Sequence, residues 1–256
     1  MKETGIHVNI IGAGLAGLSA AITLARREIP CRLVSLLPSE RSQSVLAEGG
    51  INGALNTMGE EDCVGNHFED TRKAGVYIAD EEAIRGFTAH APEILMELKR
   101  LGVPFNLQNE KIQQRNFGGQ KKKRTAYARS STGKVLMTAL IDETRKYEAA
   151  GFITRYSHHE LMDLQIYPER QDSHLQDPGT TDIEEAADKR NNHRDDQTLE
   201  QEIFQNRYCR GAVIRDTYTD QLDFFQGPVI LATGGMNGMF PGRTTGTVTN
   251  SGDVAA

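Results

Sequence analysis

The stretch Val8-Asn9-Ile10-Ile11-Gly12-Ala13-Gly14-Leu15-Ala16-Gly17-Leu18-Ser19-Ala20-Ala21 decides the fold of this 256-residue chain. An apolar run, a G-x-G-x-x-G turn and an alanine-rich run predict a buried strand, a tight turn and a helix. Gly12 and Gly14 would let the backbone approach a pyrophosphate, and Gly17 would let the helix pack against the strand. The helix N-terminus would offer free N–H groups to the phosphates. A purely structural turn in another α/β protein is the alternative.

The composition is ordinary for a soluble globular protein, with 38% hydrophobic residues and a formal net charge of −6. No apolar run reaches the ~20 residues of a membrane span, and residues 1–7 lack the apolar part of a signal peptide. The negative charge argues against nucleic-acid binding. Cys31, Cys63 and Cys209 lack the spacing of a metal or iron–sulfur site. We therefore expect reduced cysteines in a cytoplasmic protein.

The second predicted strand, residues 31–36, weighs against NAD as the ligand. NAD enzymes carry an Asp or Glu near the end of this strand, where it binds the ribose. Val34, Ser35 and Leu36 occupy that place here. A serine hydroxyl can still hydrogen-bond a ribose, but the missing acid disfavours an NAD site.

A second glycine-containing segment follows at residues 41–54, Arg-Ser-Gln-Ser-Val-Leu-Ala-Glu-Gly-Gly-Ile-Asn-Gly-Ala. Its small and hydroxylic residues and its paired glycines would permit a flat ligand to lie close to the backbone. A flexible surface loop is an equal alternative on these residues alone.

A series of motifs covers nearly the whole chain apart from about 165–206. They are the glycine turn, residues 41–54, His67–Thr71, Leu101–Asn106, Asn116–Gly119, Arg124–Ala128 with Thr132-Gly133, Cys209–Gly211 and Val229–Gly235. Together they resemble the flavoprotein subunit of succinate dehydrogenase and fumarate reductase, in the FAD-dependent oxidoreductase 2 family. The resemblance is greatest to the type found in Gram-positive bacteria.

The resemblance implies FAD contacts from several segments. The pyrophosphate would lie at the glycine turn, the adenosine ribose after the second strand, and the ribityl chain and isoalloxazine along residues 42–50. A segment near His158 and His159 would meet the adenine, and Asp253 would reach the flavin chain. The implied contacts are Gly12, Ala13, Gly14, Leu15, Ala16, Gly17, Val34, Ser35, Leu36, Ser42, Gln43, Ser44, Ala47, Glu48, Gly49, Gly50, His159, Ala232, Thr233, Gly234 and Asp253.

Gln43 marks a departure from the family pattern. In the membrane-bound respiratory enzymes a histidine in an Arg-Ser-His-Thr/Ser motif bonds covalently to the flavin, and Gln43 holds that position here. An amide cannot form this bond, so we predict non-covalent FAD, as in soluble relatives and L-aspartate oxidases. Loss of the link is expected to lower the flavin potential, which favours fumarate reduction.

The predicted fold is a doubly wound, Rossmann-like α/β FAD-binding domain. It contains a helical insertion at about 55–150 and a β-meander from about 152–164 and 207–226, with Val229–Ala232 as a buried strand. Residues 80–101 predict an amphipathic helix whose inner face holds Ile84, Phe87, Ala91, Ile94 or Leu95, Leu98 and Leu101. Pro92 predicts a kink in it or two shorter helices, and residues 134–149 predict another helix.

The domain boundaries follow from composition. Residues 1–164 are the expected first part of the FAD-binding domain, 165–206 a polar and mobile insertion, and 207–256 the continuation. In the family the capping domain and the catalytic histidine and arginine follow Asp253. The resemblance therefore implies a truncated FAD-binding portion, incompetent alone, in which no catalytic residue can be assigned.

The parent reaction would be hydride transfer between the flavin and a C4 dicarboxylate. The resemblance also implies an iron–sulfur subunit as partner and a cytoplasmic location, with peripheral attachment at the inner membrane face through partner subunits. Another FAD-dependent oxidoreductase, such as L-aspartate oxidase, and a non-catalytic flavin-binding remnant are the alternatives. The basic run Lys121–Arg124 either attracts a dicarboxylate or forms a solvated turn. His158 and His159 would point to opposite faces of a strand, so no metal site is predicted.

Overall fold

The computed structural model of the chain describes residues 6–168 and 207–235. Helices and short strands alternate through the first part, and longer strands follow. In chain order the elements are β1 (Val8–Ile11), α1 (Leu15–Ala25), β2 (Cys31–Ser35), β3 (Ile51–Asn52), α2 (Val64–Ala74), α3 (Glu81–Arg100), β4 (Leu107–Gln108), β5 (Lys111–Ile112), β6 (Gln114–Arg115), β7 (Thr125–Ala126), α4 (Thr132–Ala149), β8 (Ile153–Ser157), β9 (His159–Pro168), β10 (Arg207–Asp216), β11 (Leu222–Gln226) and β12 (Val229–Leu231).

A parallel sheet with the strand order β12-β1-β2-β8 forms the centre of the described residues. The apolar strand β1 lies between two neighbours, and Ile10 is completely buried, as expected for a strand covered on both faces. Ile11 is opposite Val34 in β2 and Leu231 in β12. The carboxyl ends of these three strands therefore meet at one edge of the sheet.

Two layers cover this sheet. Helices α1 and α4 pack on one face, where Leu18, Leu33 and Leu140 share a buried cluster. The antiparallel sheet β9-β10-β11 packs on the other face through Val34 and Ile214. The predicted doubly wound α/β fold with a β-meander is thus confirmed. Strand β8, which was expected in the meander, pairs instead in parallel with β2.

Helix α3 runs from Glu81 to Arg100 as one element, so the alternative of two shorter helices around Pro92 is wrong. The Asp80 carboxylate caps its start by accepting from the Glu82 and Ala83 N–H groups. Gly102, with a φ of +93°, follows its end, and the Val103 N–H bonds back to the Leu98 carbonyl, as in a Schellman motif. These two caps and the packed inner face hold the helix together although proline removes one backbone donor.

The inner face of α3 is narrower than the predicted one. Leu95 is completely buried, whereas Ile94 is 48% exposed, which decides between the two alternatives. Phe87, which was predicted to face the core, is 51% exposed, so that prediction is wrong. The buried stripe consists of Ile84, Thr88, Leu95 and Leu98, and Phe87 lies to one side of it at the helical repeat.

Strand β12 was predicted to be buried, and this prediction is wrong. Ile230 is 36% exposed and Leu231 is 46% exposed. Within the described residues β12 pairs only with β1 and therefore lies at an edge of the parallel sheet. An edge strand leaves one side open, so its apolar sequence does not ensure burial.

The polar insertion predicted over 165–206 begins inside β9, which continues to Pro168. Its remainder, residues 169–206, lies outside the described residues. No helix in residues 6–168 and 207–235 is long and apolar enough to cross a membrane.

Candidate functional site

A cavity of about 440 Å³ lies at the edge of the parallel sheet where β1, β2 and β12 end. Ligands of open α/β sheets bind at this edge, and the volume falls within the ~300–1,000 Å³ of small-molecule sites. The walls come from the glycine turn, from the end of β2 with the turns after it, and from the end of β12. The lining residues are Gly12, Ala13, Gly14, Leu15, Ala16, Ser35, Leu36, Leu37, Arg41, Ser42, Gln43, Ser44, Leu231, Ala232, Thr233 and Gly234.

The glycine turn requires glycine at two positions for geometric reasons. Gly12 has a φ of +113°, and a Cβ there would lie 2.1 Å from the Ala232 carbonyl oxygen. A Cβ at Gly17 would lie 1.8 Å from the Gly12 carbonyl oxygen. Because glycine has no Cβ, the backbones of β1, α1 and β12 can approach closely at these two positions. Together they form one wall of the cavity.

The N-terminus of α1 faces this cavity. Gly14 is the residue before the helix, and its carbonyl accepts the first helical hydrogen bond, from the Leu18 N–H at 3.0 Å. The Leu15 N–H instead donates to the Ser44 hydroxyl at 3.2 Å. A Cβ at Gly14 would lie 3.1 Å from that same hydroxyl, so glycine keeps the space in front of the helix open. An anionic group is favoured at such a place by the helix dipole and the N–H groups.

Two of the six polar or charged side chains that the described residues place in the walls indicate what kind of ligand would fit. The Ser35 hydroxyl is buried and has no hydrogen-bond partner within the described residues, although buried hydroxyls are normally paired. Arg41 is the one charged residue lining the cavity in the described part of the chain. A ligand with both hydroxyl groups and an anionic group would match these two side chains.

The Gly49-Gly50 segment lies against a different part of the protein. Arg115 donates to the Gly49 carbonyl at 2.9 Å and stacks 4.2 Å from the centre of the Tyr127 ring. Gly50 has a φ of +122°, and a Cβ there would lie 2.5 Å from the Ala126 carbonyl oxygen. Strand β7 therefore lies directly behind this segment.

Most of the predicted contacts line the cavity, and the others lie elsewhere. Gly17 and Val34 are buried next to the walls, and the Val34 carbonyl accepts from the Gly12 N–H at 2.7 Å. The remaining predicted residues in the described part of the chain are not among those lining the cavity: Ala47, Glu48, Gly49, Gly50 and His159. Asp253 lies outside the described residues. Leu37, Arg41 and Leu231 line the cavity although they were not among the predicted contacts.

The profile of the family described as FAD binding domain matches residues 7–256. The chain belongs to this FAD binding domain family. It is 35% identical over its whole length to the succinate dehydrogenase flavoprotein subunit of Bacillus subtilis, and covers 37% of that protein. Its identity to the 8-methylmenaquinol:fumarate reductase flavoprotein subunit of Wolinella succinogenes is 30%, over 97% of the chain and 34% of that protein.

The solved structure of E. coli quinol fumarate reductase FrdA shares the fold, with a TM-score of 0.75 and 24% identity over 97% of this chain and 36% of that one. The predicted resemblance to these flavoproteins is therefore confirmed. The chain spans about a third of the length of the relatives that it matches. The prediction that the chain is an FAD-binding domain is likewise confirmed. The cavity has two features that fit FAD: a glycine turn whose open space a Cβ would fill, and the buried Ser35 hydroxyl, which has no partner within the described residues.

Three side chains of the basic run have acceptor partners, which are carboxylates for Arg124 and Lys123 and a backbone carbonyl for Lys122. Arg124 is completely buried, with its Nη2 2.9 Å from Asp62 Oδ1 and 2.9 Å from Asp70 Oδ2. Lys123 lies 2.8 Å from Glu60 Oε1, and the Lys122 ammonium donates to the Glu60 carbonyl at 2.7 Å. The solvated-turn interpretation is wrong for Arg124, because its side chain is buried and paired with Asp62 and Asp70.

The cysteines and histidines form no metal centre in the described part of the domain. Cys31, Cys63 and Cys209 are free thiols, and burial raises the pKa of Cys31 to about 11. His158 stacks on Tyr218, with ring centres 4.9 Å apart, while His159 packs on Tyr156. The two neighbouring imidazoles thus have separate aromatic partners.

Proposed function

We propose that this chain holds FAD without a covalent bond, as part of a flavoprotein of the succinate dehydrogenase and fumarate reductase type. The observation that carries the proposal is the cavity at the end of β1, whose glycine cradle lies in a chain of the FAD binding domain family. The nearby N-terminus of α1 supplies the electrostatic component for two phosphates.

The positions of the cavity residues suggest how each part of the ligand lies. The pyrophosphate would contact Gly12–Ala16, the adenosine ribose the Ser35 hydroxyl, and the flavin end Ser42–Ser44 together with Thr233. We propose that the flavin then continues beyond the cavity along the segment to Gly50. Gln43 lines the cavity where relatives of the respiratory type would carry the linking histidine. Because a glutamine amide is not a nucleophile of this kind, the flavin would be retained by non-covalent contacts.

When bound, FAD would supply hydride chemistry, and the relatives named above suggest a C4 dicarboxylate as the substrate of the whole protein. The residues of this chain would bind and orient the cofactor. The relatives are described as subunits, so we extend the proposal to assembly with an iron–sulfur partner and to peripheral association with a membrane.

Incubation of the purified chain with FAD, removal of unbound flavin and an absorbance spectrum test this proposal. We expect flavin absorbance that remains with the native protein and passes into the supernatant on acid precipitation. A yellow precipitate would contradict non-covalent binding, and a colourless native protein would contradict FAD binding. Oxidation of a reduced viologen by fumarate then measures any dicarboxylate turnover separately from flavin binding.

A further inference from the structure

We propose that Arg155 is a positioning residue for the cofactor loop, which we define as residues 39–47. Arg155 lies in β8, away from the cavity lining, and its guanidinium reaches three partners. It donates to the Ser39 hydroxyl at 2.6 Å, to the Thr144 hydroxyl at 3.0 Å and to Glu148 Oε1 at 2.8 Å. The inference rests on the proposed function, because it concerns the loop that would contact FAD.

Two of these partners are completely or almost completely buried. Ser39 is 1% exposed and Thr144 is 0% exposed. The Thr144 hydroxyl itself donates to the Ile141 carbonyl, so it acts as an acceptor toward Arg155. The planar guanidinium can satisfy these three acceptors at once because its donors point outward as a rigid fork. Arg155 therefore connects β8, α4 and the start of the cofactor loop.

The bond to Ser39 extends along the loop to the cavity wall. The Ser39 carbonyl accepts from the Ser42 N–H at 3.1 Å, and the Ser42 carbonyl accepts from the Val45 N–H at 3.1 Å. Ser42 and Ser44 line the cavity, and Ser44 bonds to the first turn of α1. Displacing Ser39 would thus displace the part of the cavity wall that Ser42 and Ser44 form.

Helix α4 holds the other end of the same loop. The Gly133 N–H donates to the Ala47 carbonyl at 2.6 Å, and a Cβ at Gly133 would lie 2.1 Å from the Ser44 carbonyl oxygen. The N-terminal end of α4 thus contacts the last residues of the cofactor loop. Arg155 joins the C-terminal part of α4 to Ser39, the first residue of the cofactor loop. The loop is fixed at both ends on one rigid element, as precise ligand contacts require.

Arg145 provides a matched control. It extends from α4 to the same turn and donates to Glu40 Oε1 at 3.1 Å, but both side chains are more than half exposed. An exposed ion pair contributes little because water screens it. Arg145→Met should therefore leave the loop and its ligand unaffected, although it removes an arginine between the same two elements.

The test measures FAD affinity by fluorescence quenching and amide exchange of residues 39–47 without FAD. We expect Arg155→Met to weaken FAD binding by about tenfold and to accelerate amide exchange at Ser42 and Val45 in the absence of FAD. Ser39→Ala, which leaves the pair with Glu148 intact, should produce a smaller effect of the same kind.

Unchanged affinity and unchanged exchange in Arg155→Met would overturn the inference, as would equal effects in Arg145→Met. If Arg155→Met does not fold, Ser39→Ala decides by the same two readouts. If the unmodified chain binds no FAD, the proposed function fails, while the exchange measurement still tests the role of Arg155. A lower melting temperature with normal exchange and affinity would indicate a merely structural role and would also overturn it.

Discussion

Arg124 Nη2 lies 2.9 Å from Asp62 Oδ1, and both side chains are almost completely buried. The same nitrogen lies 2.9 Å from Asp70 Oδ2. The Arg124 carbonyl also accepts from the Gly53 N–H at 3.0 Å and from the Gln114 amide at 2.7 Å. A charge in the interior thus links α2 to the strands behind the Gly49-Gly50 segment.

Replacing Arg124 by methionine should destabilise the protein by about 3–5 kcal/mol, because two buried carboxylates lose their shared cation. Denaturant unfolding measures this change. Lys123→Met is the matched control, since Lys123 pairs with Glu60 near the surface and should cost less than about 1 kcal/mol.

The combined variant Asp62→Asn, Asp70→Asn and Arg124→Met should recover much of the loss, because no buried charge then remains unpaired. If Arg124→Met and Lys123→Met were equally mild, the buried ion cluster would not stabilise the fold.

His67 should make stability depend on pH. It is buried, and burial together with the neighbouring Arg124 lowers its pKa below the ordinary 6.5, against the opposing effect of Asp62 and Asp70. In the unfolded chain the imidazole has its ordinary pKa and binds more protons at mildly acidic pH. The stabilisation is therefore complete above about pH 6.5 and decreases as pH falls through the folded-state pKa.

Denaturant unfolding between pH 7.5 and pH 5 tests this dependence, a range above the ~4.3 at which ordinary glutamates titrate. We expect a steeper loss of stability in the unmodified chain than in His67→Gln. Equal slopes for the two proteins would show that another group governs stability in this range.

Backbone strain alone should make Gly12→Ala destabilising by about 1–3 kcal/mol, and we expect the total loss of stability to be larger. The φ of +113° at Gly12 is strained for alanine, and the new Cβ would overlap the Ala232 carbonyl oxygen. Gly86→Ala is the control, since Gly86 lies inside α3 with no atom near its Cβ position. Alanine there should stabilise the protein by about 0.5–1 kcal/mol, so a stabilising Gly12→Ala would contradict the close packing of β1 and β12.

Local patterns predicted the elements whose partners are close in sequence. The Val8–Ala21 stretch contains the strand, the turn and the start of the helix, so its own residues determine all three. The predicted helices over residues 80–101 and 134–149 end just before Gly102 and Gly151, which both have a positive φ. A helix cap is a local structure, and it can therefore be predicted without knowledge of the core.

Features that depend on distant partners were not predictable in this way. Arg124 and Asp62 are 62 positions apart, and no local signal pairs them within a basic run. Strand β8 has the same apolar and polar alternation in either sheet, so its pairing with β2 could not be deduced from its residues. The exposure of β12 depends on its place at the sheet edge.

Binding of FAD at the glycine turn is tested most directly by titrating the chain and its Gly14→Val variant with FAD. Gly14 has an ordinary extended backbone, but its Cβ position is 3.1 Å from the Ser44 hydroxyl, which must move by a few tenths of an ångström to accept a side chain there. Valine should therefore project into the cavity at a modest cost in stability. We expect saturable binding at one FAD per unmodified chain, and at least about tenfold weaker binding by the variant, which should remain folded at the temperature of the titration. Equal affinity in the two proteins, or no binding by the unmodified chain, would contradict FAD binding at this turn.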